Sequence, residues 1–582
     1  MEEKKISAWS LIKPYWVSED RWVARGLLAL IIALNLAIVY VNVQINEWSA
    51  NFYNALQGKN IAAFGELLTR FTVLAFAFIL MTVYALYFRQ MLSFRWRRWL
   101  TGVYLDRWLG GGAFYRIERD RLADNPDQRI SDDLQSLAST TLGLTLDLIS
   151  TLVTLASFVT ILWAISGPLL ANVAGHQLVI PGYMVWAAAI YAVFGSLVIQ
   201  RFGRPLVSIN YQQQRVEADF RFGLIRVREN AEPIALYDGT AVESAHARTL
   251  FSRIRDNWKM VMRYTRRLSF VSSFYGQIAI IFPIAVAAPR YFAGAYTFGV
   301  LMQISRAFGT VSDSLSWFIN NFDTLAGWRA TVNRLREFER VLEGQHFAER
   351  VSPATEHGGI HLHRAPTPAV ATRGLVLARP DGRTLSAVAD IAIERGSRWL
   401  IRGPSGSGKS TLLRALAGLW PFGAGAIDIP VDAQLMFVPQ RPYMPIDSLR
   451  VVLAYPSPAS AHDDAACRDA LHAVGLDGLG ELLDREEHWA NRLSPGEQQR
   501  IAFARVLLKR PDYLFLDEAT SSLDPVSEQR LYTLLLERLP QTAIVSVAHR
   551  EALYAFHDTL VEIGETGGTT QVIAHSPDGR RA

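Results

Sequence analysis

The sequence predicts a multi-domain membrane protein, in which a six-helix transmembrane domain precedes a C-terminal α/β P-loop ATPase domain. Two observations lead to this fold class. Half of the 582 residues are hydrophobic, and the long apolar runs are confined to residues 1–340. A glycine-rich motif at 403–410 lies between a strand-like and a helix-like run in the remaining part. The polar, His-, Gly- and Pro-rich stretch 341–365 is predicted as the linker between the domains 1–340 and 366–582.

Six runs are long and apolar enough to span a bilayer core, which takes about 20 helical residues. They are 23–45, 68–92, 141–166, 178–200, 269–292 and 296–322. The sixth is the least apolar, because it contains Arg306, Asp313 and several small polar residues. The first run is too long for a signal peptide and has no small-residue cleavage site, so we expect it to remain as a membrane anchor.

The basic residues indicate the orientation of these spans. The connection 93–140 contains eight Lys or Arg residues and 201–268 contains thirteen, whereas 167–177 and 293–295 contain none. Because Lys and Arg collect in cytoplasmic loops, we expect the N-terminus, both long connections and the C-terminal domain to be cytoplasmic. Both connections are polar with few Pro or Gly residues, and we expect them to continue the membrane helices. The net charge of +5 is small, and the clustering of the basic residues in these connections indicates membrane topology rather than a nucleic-acid partner.

The glycine-rich motif has the chemistry of nucleotide binding, with the spacing G-x-x-x-x-G-K-S. Its residues are Gly403, Pro404, Ser405, Gly406, Ser407, Gly408, Lys409 and Ser410, followed by Thr411. In such a P-loop the backbone N–H groups surround the phosphates, the lysine amine reaches the β and γ oxygens, and the hydroxyl after it can ligate Mg²⁺. The sequence therefore predicts ATP and Mg²⁺ as cofactors. A single cysteine, Cys467, excludes an intrachain disulfide framework.

Two adjacent acids follow an apolar strand at 513–516. Beside a P-loop, Asp517 would support Mg²⁺ and its hydration shell, and Glu518 would polarise the attacking water as the general base. An isolated pair of this kind is most often a solvated strand end. The P-loop that precedes it makes the catalytic interpretation the stronger one.

A motif at 493–500, Leu-Ser-Pro-Gly-Glu-Gln-Gln-Arg, carries a family resemblance. It resembles the signature of ATP-binding-cassette proteins, usually written LSGGQ. In that family the Ser and the second Gly, here Ser494 and Gly496, close over the γ-phosphate of ATP that another subunit holds. Pro495 and Glu497 depart from the commonest form, although the start of a helix tolerates proline.

Three more positions match the family in order. Gln440 resembles the Q-loop glutamine, which senses Mg²⁺ and the membrane domain, Asp524 belongs to a D-loop-like Ser-Ser-Leu-Asp segment, and His549 resembles the switch histidine at the γ-phosphate. The resemblance implies Glu518 and His549 as catalytic residues. The metal site that it implies consists of Ser410, Gln440 and Asp517. Cassettes usually stack adenine on an aromatic about 25 residues before the P-loop. The sequence has none at 377–380, and Arg379 or an apolar side chain are both open as its replacement.

One six-span domain fused to one cassette resembles the half-transporter layout of the exporter-type fold, which implies a homodimer with two interfacial ATP sites. Segments 125–130, 229–237 and 418–421, with the LSPGE signature, are similar to the BacA/SbmA-like transporters and to the related peroxisomal fatty-acyl half-transporters. The former branch includes cassette-fused members that take up cobalamin, bleomycin and antimicrobial peptides. The resemblance therefore implies ATP-driven import across a bacterial inner membrane.

Polar side chains within the spans indicate the kind of cargo. Charges inside a membrane usually face a bundle interior or water, so Arg306 and nearby amides predict a cavity for hydrophilic cargo such as peptides, cobalamin or bleomycin. Arg306 is the candidate cargo residue. Arg290 is also explained as an interfacial side chain, and Asp147 and Asp313 as local pairs or span ends. An exporter of lipid, acyl or drug cargo, and an ATP-gated channel or regulator, remain as alternatives; the six spans exclude a soluble cassette acting on DNA or ribosomes.

Overall fold

In the computed structural model the chain forms two compact units, Met1–Phe347 and Ala348–Ala582. The structure describes residues 6–173, 176–350, 359–564 and 571–574. Within the stretch 341–365, it shows the end of a helix, up to Arg350, and a strand, Ile360–Ala365. The domain limits at 340 and 366 stay predictions.

The first unit is built mainly from long helices. They are α1 Ala8–Ile12, α2 Arg21–Gln57, α3 Ile61–Leu109, α4 Ala113–Arg119, α5 Pro126–Gln128, α6 Leu134–Ser166, α7 Tyr183–Glu229, α8 Ala231–Leu236, α9 Thr240–Phe292, α10 Phe298–Leu315, α11 Trp317–Asn320 and α12 Phe322–Arg350. An antiparallel hairpin, β1 Leu169–Val173 and β2 His176–Ile180, joins α6 to α7. Two 3₁₀ turns, Lys13–Val17 and Gly110–Gly112, and a π-helical turn, Arg129–Asp133, complete the described elements.

Five helical segments among the described residues are long and apolar enough to cross a membrane. They are Arg21–Gln57, Ile61–Arg119, Pro126–Ser166, Tyr183–Glu229 and Thr240–Phe292. These segments contain most or all of the first five predicted spans. Because α3, α7 and α9 extend far beyond their apolar runs, the expectation that the long connections continue the membrane helices is confirmed.

The sixth predicted span, 296–322, differs from the other five. Its helix α10 has 18 residues, and the helical path changes at Ser316 and again at Asn321. At 1.5 Å per residue α10 is roughly 27 Å long, and its polar residues keep it outside the group of five. Helices α2, α6, α7 and α9 pack around α10, so its apolar side chains, such as Ile304 and Phe308, are covered by protein.

A second apolar cluster joins the N-terminal turn to α3, α6 and α12. Tyr15 and Trp96 are fully buried and stack with ring centroids 5.6 Å apart. Asp133 precedes the cluster residue Leu134 and is 4% exposed; it accepts hydrogen bonds from Arg129 at 3.0 Å and from Arg334 at 2.9 and 2.5 Å. This carboxylate fixes the start of α6 on α12.

The described part of the second unit is an α/β domain with two larger sheets and one two-stranded antiparallel pair. Its strands are β3 Ile360–Ala365, β4 Ala369–Ala378, β5 Thr384–Ala387, β6 Ala392–Glu394, β7 Arg398–Arg402, β8 Gly423–Pro430, β9 Leu435–Val438, β10 Asp447–Ser448, β11 Glu486–Glu487, β12 Tyr513–Asp517, β13 Ala543–Val547, β14 Thr559–Glu562 and β15 Gln571–Ala574. Its helices are α13 Lys409–Leu416, α14 Leu449–Ala454, α15 Asp464–Ala473, α16 Trp489–Arg492, α17 Pro495–Lys509 and α18 Pro525–Arg538. Three 3₁₀ turns, Ala459–Ala461, Asp477–Leu482 and Glu551–Phe556, lie between them.

The larger sheet has the strand order β15-β14-β7-β13-β12-β9, and its strands from β14 to β9 are parallel to their neighbours. Both faces are covered, because Leu514 and Leu516 enter one apolar cluster while Tyr513 and Phe515 enter the other. Burial on both faces explains why β12 reads as a continuous apolar run. In the smaller sheet the order is β3-β8-β4-β5, with β6 beside β4.

Candidate nucleotide site

One edge of the larger sheet collects the predicted nucleotide residues. Strands β7, β13, β12 and β9 run parallel, so their carboxyl ends lie at the same edge. The P-loop follows β7, His549 follows β13, Glu518 follows β12 and Gln440 follows β9. Ligands of open parallel sheets bind outside these carboxyl ends. Four motifs that are far apart in the sequence therefore share one location.

The P-loop backbone requires glycine at particular positions. Gly406 and Gly408 have φ values of +81° and +100°, which side chains rarely adopt. A Cβ at Gly408 would also lie 2.9 Å from Leu385, and one at Gly403 would lie 2.5 Å from the carbonyl oxygen of Ile563. The glycines thus permit a tight loop at the N-terminus of α13, whose N–H groups and dipole favour an anion.

Two P-loop side chains fit a phosphate ligand. The Lys409 amine is largely buried and donates hydrogen bonds of 2.9 Å to the carbonyl oxygens of Gly403 and Pro404, in its own loop. Burial lowers the pKa of this amine, which a nearby anion would offset. The Ser407 hydroxyl is buried without a hydrogen-bond partner in the described part of the chain. Pro404, Ser405 and Gly406 are exposed at the tip of the loop.

A hydroxyl and a carboxylate at the start of α13 fit Mg²⁺. The Ser410 hydroxyl donates a 2.9 Å hydrogen bond to Asp517 Oδ1, so the two oxygens are already adjacent. Burial raises the pKa of the Asp517 carboxyl, and the hydrogen bond from Ser410 opposes that rise. Oxygen donors of this kind, supplemented by phosphate and water, are the usual ligands of Mg²⁺.

Glu518 is held between two predicted residues. Its Oε2 accepts a 3.1 Å hydrogen bond from the Gln440 amide, and its Oε1 lies 3.3 Å from His549 Nε2. Glu518 has a φ of +48°, in the left-handed region that is unfavourable for residues other than glycine. Such strain is typical of functional positions. Its N–H donates to the carbonyl oxygen of Val547 at 3.0 Å, which helps to hold this conformation.

The signature residues begin helix α17. Ser494 is the N-cap, and its hydroxyl accepts from the Glu497 N–H, while the Glu497 carboxylate accepts from the Ser494 N–H at 2.9 Å. Pro495 is the first helical residue, where no N–H is needed. Ser494 and Glu497 therefore form a capping box, and Pro495 occupies the first helical position beside it. Gly496 lies close to the carbonyl oxygen of Ser522, which a Cβ would approach to 3.3 Å.

Asp524 caps helix α18. Its Oδ1 accepts from the N–H groups of Val526 and Ser527, both at 3.0 Å. Among the described residues, the Asp524 and Ser494 side chains form hydrogen bonds within their own helix starts, and both residues are exposed. The structure thus brings Gln440, Glu518 and His549 together, but it does not bond Ser494 or Asp524 to them.

Some residues of the site were not predicted from the sequence. Glu528 is 2% exposed and accepts hydrogen bonds from Thr520 at 2.5 Å and Arg550 at 3.2 Å. Arg550 also donates to the carbonyl oxygen of Leu523 at 2.9 Å, so the segment after β13 is fixed to the loop after β12. Gln499, in the signature helix, is 2% exposed. Both Arg550 and Gln499 lie next to recognised motifs, but the sequence does not show which polar side chains turn inward.

The candidate cargo residue lies in the other unit. Arg306 is an exposed side chain on α10. Of the other span charges, Asp147 lies 3.5 Å from Arg89 of α3, and Arg290 donates to the carbonyl oxygens of Ser166 and Pro168 at the end of α6. Local contacts therefore account for Asp147 and Arg290.

The fold and the sheet edge define a P-loop ATPase joined to a helical membrane unit. Residues 11–292 match the family described as ABC transporter transmembrane region 2, and residues 388–521 match the family described as ABC transporter. The fold is similar to that of a bacterial Atm1-family ABC exporter with ATP bound, with a TM-score of 0.67, 19% identity and 96% of each chain covered.

Similar proteins cover nearly the whole chain. It is 38% identical over 559 residues to an uncharacterized ABC transporter ATP-binding protein, sll0182, of Synechocystis, covering 94% of this chain and 82% of that one. It is 32% identical over 556 residues to the inner membrane ABC transporter ATP-binding protein YddA of Escherichia coli, covering 95% and 96%. It is 28% identical over 590 residues to the human lysosomal cobalamin transporter ABCD4, covering 94% and 92%.

The chain belongs to the ABC transporter family. It is an ATP-driven membrane transporter whose cassette binds ATP with Mg²⁺ and hydrolyses it. The predicted resemblance to ATP-binding-cassette half-transporters, the exporter-type fold and the cofactors are confirmed.

Proposed function

We propose that this transporter works as a homodimer that imports hydrophilic cargo, such as a peptide, cobalamin or bleomycin, across a bacterial inner membrane. The observation that carries the proposal is the polar character of α10, which packs among four membrane helices and presents Arg306. The names of two relatives support it: one is an inner membrane protein, and the other a cobalamin transporter.

The geometry of the sheet edge supports a role for each nucleotide residue. Bound ATP supplies the phosphoanhydride bond whose hydrolysis drives transport. The P-loop N–H groups and Lys409 would bind its phosphates, and Ser410, Asp517 and Gln440 would hold Mg²⁺. Glu518 accepts the proton of the attacking water, because its carboxylate is held between two side chains and remains 30% exposed. His549 orients that carboxylate through Nε2.

A second copy of the chain would complete the site. The P-loop tip is exposed, and Ser494, Gly496 and Asp524 lie at helix starts whose side-chain hydrogen bonds are local. Exposed donors at a helix N-terminus favour an anion brought by another surface. In a twofold-symmetric dimer the P-loop of each chain would face the signature helix of the other, so both surfaces would be covered.

The homodimer can be tested by molar mass. Glu518→Gln should form a dimer in detergent with Mg-ATP, because ATP stays bound when turnover stops. Cassette association is detected by crosslinking cysteines placed beside Ser494 and the P-loop, with Lys409→Ala as the variant in which phosphate binding is weakened. A single-chain mass with ATP present contradicts the homodimer.

The polar contacts of the spans support a hydrophilic cargo. The fully buried Asn46 donates to the carbonyl oxygen of Gln303 at 3.5 Å, and Asn54 accepts from the Gly299 N–H at 2.9 Å. These bonds tie α2 through polar groups to α10, the helix that carries Arg306. Polar groups inside a membrane are retained where they serve a pathway.

Transport direction is tested in proteoliposomes of known orientation. Labelled cobalamin and a labelled antimicrobial peptide are supplied separately on the side opposite the cassettes, with ATP on the cassette side and Glu518→Gln as the blank. Accumulation of either cargo on the cassette side supports import, and Arg306→Ala should then reduce it. Movement away from the cassettes indicates an exporter, and ATP-dependent leakage without accumulation indicates a gated channel; either result overturns import.

A further inference from the structure

A buried glutamine of the signature helix contacts two loops of the ATPase site. Gln499 lies on α17 and is 2% exposed. Its Nε2 donates to the carbonyl oxygen of Gln440 at 3.1 Å and to the Ser521 hydroxyl at 3.2 Å. Its Oε1 accepts from the Ser522 N–H at 2.9 Å. The side-chain amide of Gln499 thus uses both N–H donors and its carbonyl acceptor to bond these two loops.

The same contact leads to Glu518. Gln440, whose carbonyl Gln499 holds, donates through its own side chain to Glu518 Oε2 at 3.1 Å and lies 3.5 Å from the Ser521 hydroxyl. The Ser521 N–H in turn donates to the carbonyl oxygen of Glu518 at 3.0 Å. Glu518 is therefore reached from Gln499 by two routes, one through Gln440 and one through Ser521.

The neighbouring glutamine makes no such contact. Gln498 donates to the carbonyl oxygens of Ala490 and Leu493 at 2.8 and 2.9 Å, which lie just before its own helix. It stabilises the entry to α17 but touches neither loop. The two residues have the same chemistry and adjacent positions, so they form a matched pair that differs in what the amide reaches.

We propose that Gln499 is a positioning residue for ATP hydrolysis, which fixes the Gln440 and Ser521 segments on the signature helix and so holds the carboxylate of Glu518 in place. The inference rests on the general-base role proposed for Glu518. Backbone strain at Glu518 makes such support necessary, because a left-handed residue persists only where its surroundings determine it. Gln499 also lies on the helix that begins at Ser494, so it joins the signature to the hydrolytic residues of the same chain.

The test compares Gln499→Met with Gln498→Met in the full-length protein. Methionine keeps the length and volume of the side chain but removes its hydrogen bonds. We expect Gln499→Met to lower kcat for ATP by about 10- to 100-fold, the effect of a small misplacement of a catalytic group, with KM within about twofold. Gln498→Met should keep the kcat of the wild type. Ser521 is exposed, so we expect the Ser521→Ala variant to fold. It should also lower kcat, but by a smaller factor than Gln499→Met.

A double-variant comparison separates this role from a structural one. In a Glu518→Gln background, Gln499→Met should cause no further fall in kcat, because the residue acts through Glu518. Unchanged kcat in both Gln499→Met and Ser521→Ala overturns the inference. An equal fall in both backgrounds, or a raised KM with a lower thermal midpoint, also overturns it, because that pattern indicates a structural role. Wild-type ATPase activity in Glu518→Gln alone instead removes the proposed general base.

Discussion

Replacement of Glu518 by glutamine separates catalysis from folding in this cassette. The substitution keeps the volume of the side chain, because Glu and Gln have the same length. It also keeps the backbone strain, because glutamine at a φ of +48° is as unfavourable as glutamate. A glutamine oxygen can still accept from Gln440, as Glu518 Oε2 does at 3.1 Å. The negative charge and the capacity to take a proton are lost together, which removes the general base.

The expected magnitudes differ widely. Loss of a general base lowers kcat by about 10²- to 10⁴-fold, roughly 2.7 to 5.4 kcal/mol of transition-state stabilisation. The contact with His549 contributes little to stability, because the two side chains are 30% and 50% exposed and exposed pairs contribute about 0–1 kcal/mol. A change of that size shifts the melting temperature of a domain of this length by less than about 4 °C.

The assay measures phosphate release, nucleotide binding and thermal unfolding on the same preparation. Glu518→Gln should retain ATP affinity and melting temperature while turnover nearly disappears. Glu537→Gln, an exposed acid on α18, is the matched control and should keep wild-type turnover. Turnover within threefold of the wild type would refute the general-base assignment, and a loss of ATP binding would show that Glu518 acts in the ground state instead.

Three further predictions concern binding and stability. Lys409→Ala removes a charge-assisted phosphate contact worth about 1.5–3 kcal/mol, so titration with a fluorescent ATP analogue should show affinity reduced about 10- to 100-fold; unchanged affinity contradicts the P-loop assignment. Asp133→Asn should cost about 2 kcal/mol in thermal unfolding, below the 3–5 of a fully buried pair, because Arg334 is 39% exposed; exposed Asp132→Asn is the control and should be neutral. Burial lowers the pKa of His557, so on acidification the unfolded chain binds this proton at a higher pH than the folded chain does. The free energy of unfolding should therefore decrease as the pH falls below about 6.5. His557→Gln should show a smaller decrease, and equal slopes for the two proteins contradict the reasoning.

In the membrane unit, hydropathy predicts the apolar spans but not the contacts between helices. The first five spans are apolar over enough residues for the bilayer alone to specify them. The helix α10 depends on its neighbours: its polar residues are tolerated because four helices surround it. Hydropathy also gave no sign that Arg290 would cap α6 or that Asp147 would meet Arg89, since these contacts join separate helices.

The nucleotide motifs were recognisable because each depends on local backbone chemistry. A P-loop needs glycines at set spacings, and a signature needs a capped helix start. Both motifs can therefore be recognised within a short stretch of consecutive residues. The adenine contact has no such pattern, so Arg379 and an apolar side chain are both open as its site. The Q-loop and switch residues were assigned by their order after strands, not by any local geometry of their own.

The sequence alone determined the class of this protein, its nucleotide motifs and most of its membrane spans, because periodicity, apolar length and glycine spacing are local properties. Only the tertiary structure decided which polar side chains meet. Gln498 and Gln499 are adjacent and chemically identical, yet one bonds to the entry of its own helix and the other to two loops of the ATPase site. The two side chains leave α17 in different directions, and only the direction of Gln499 leads to the loops at the sheet edge.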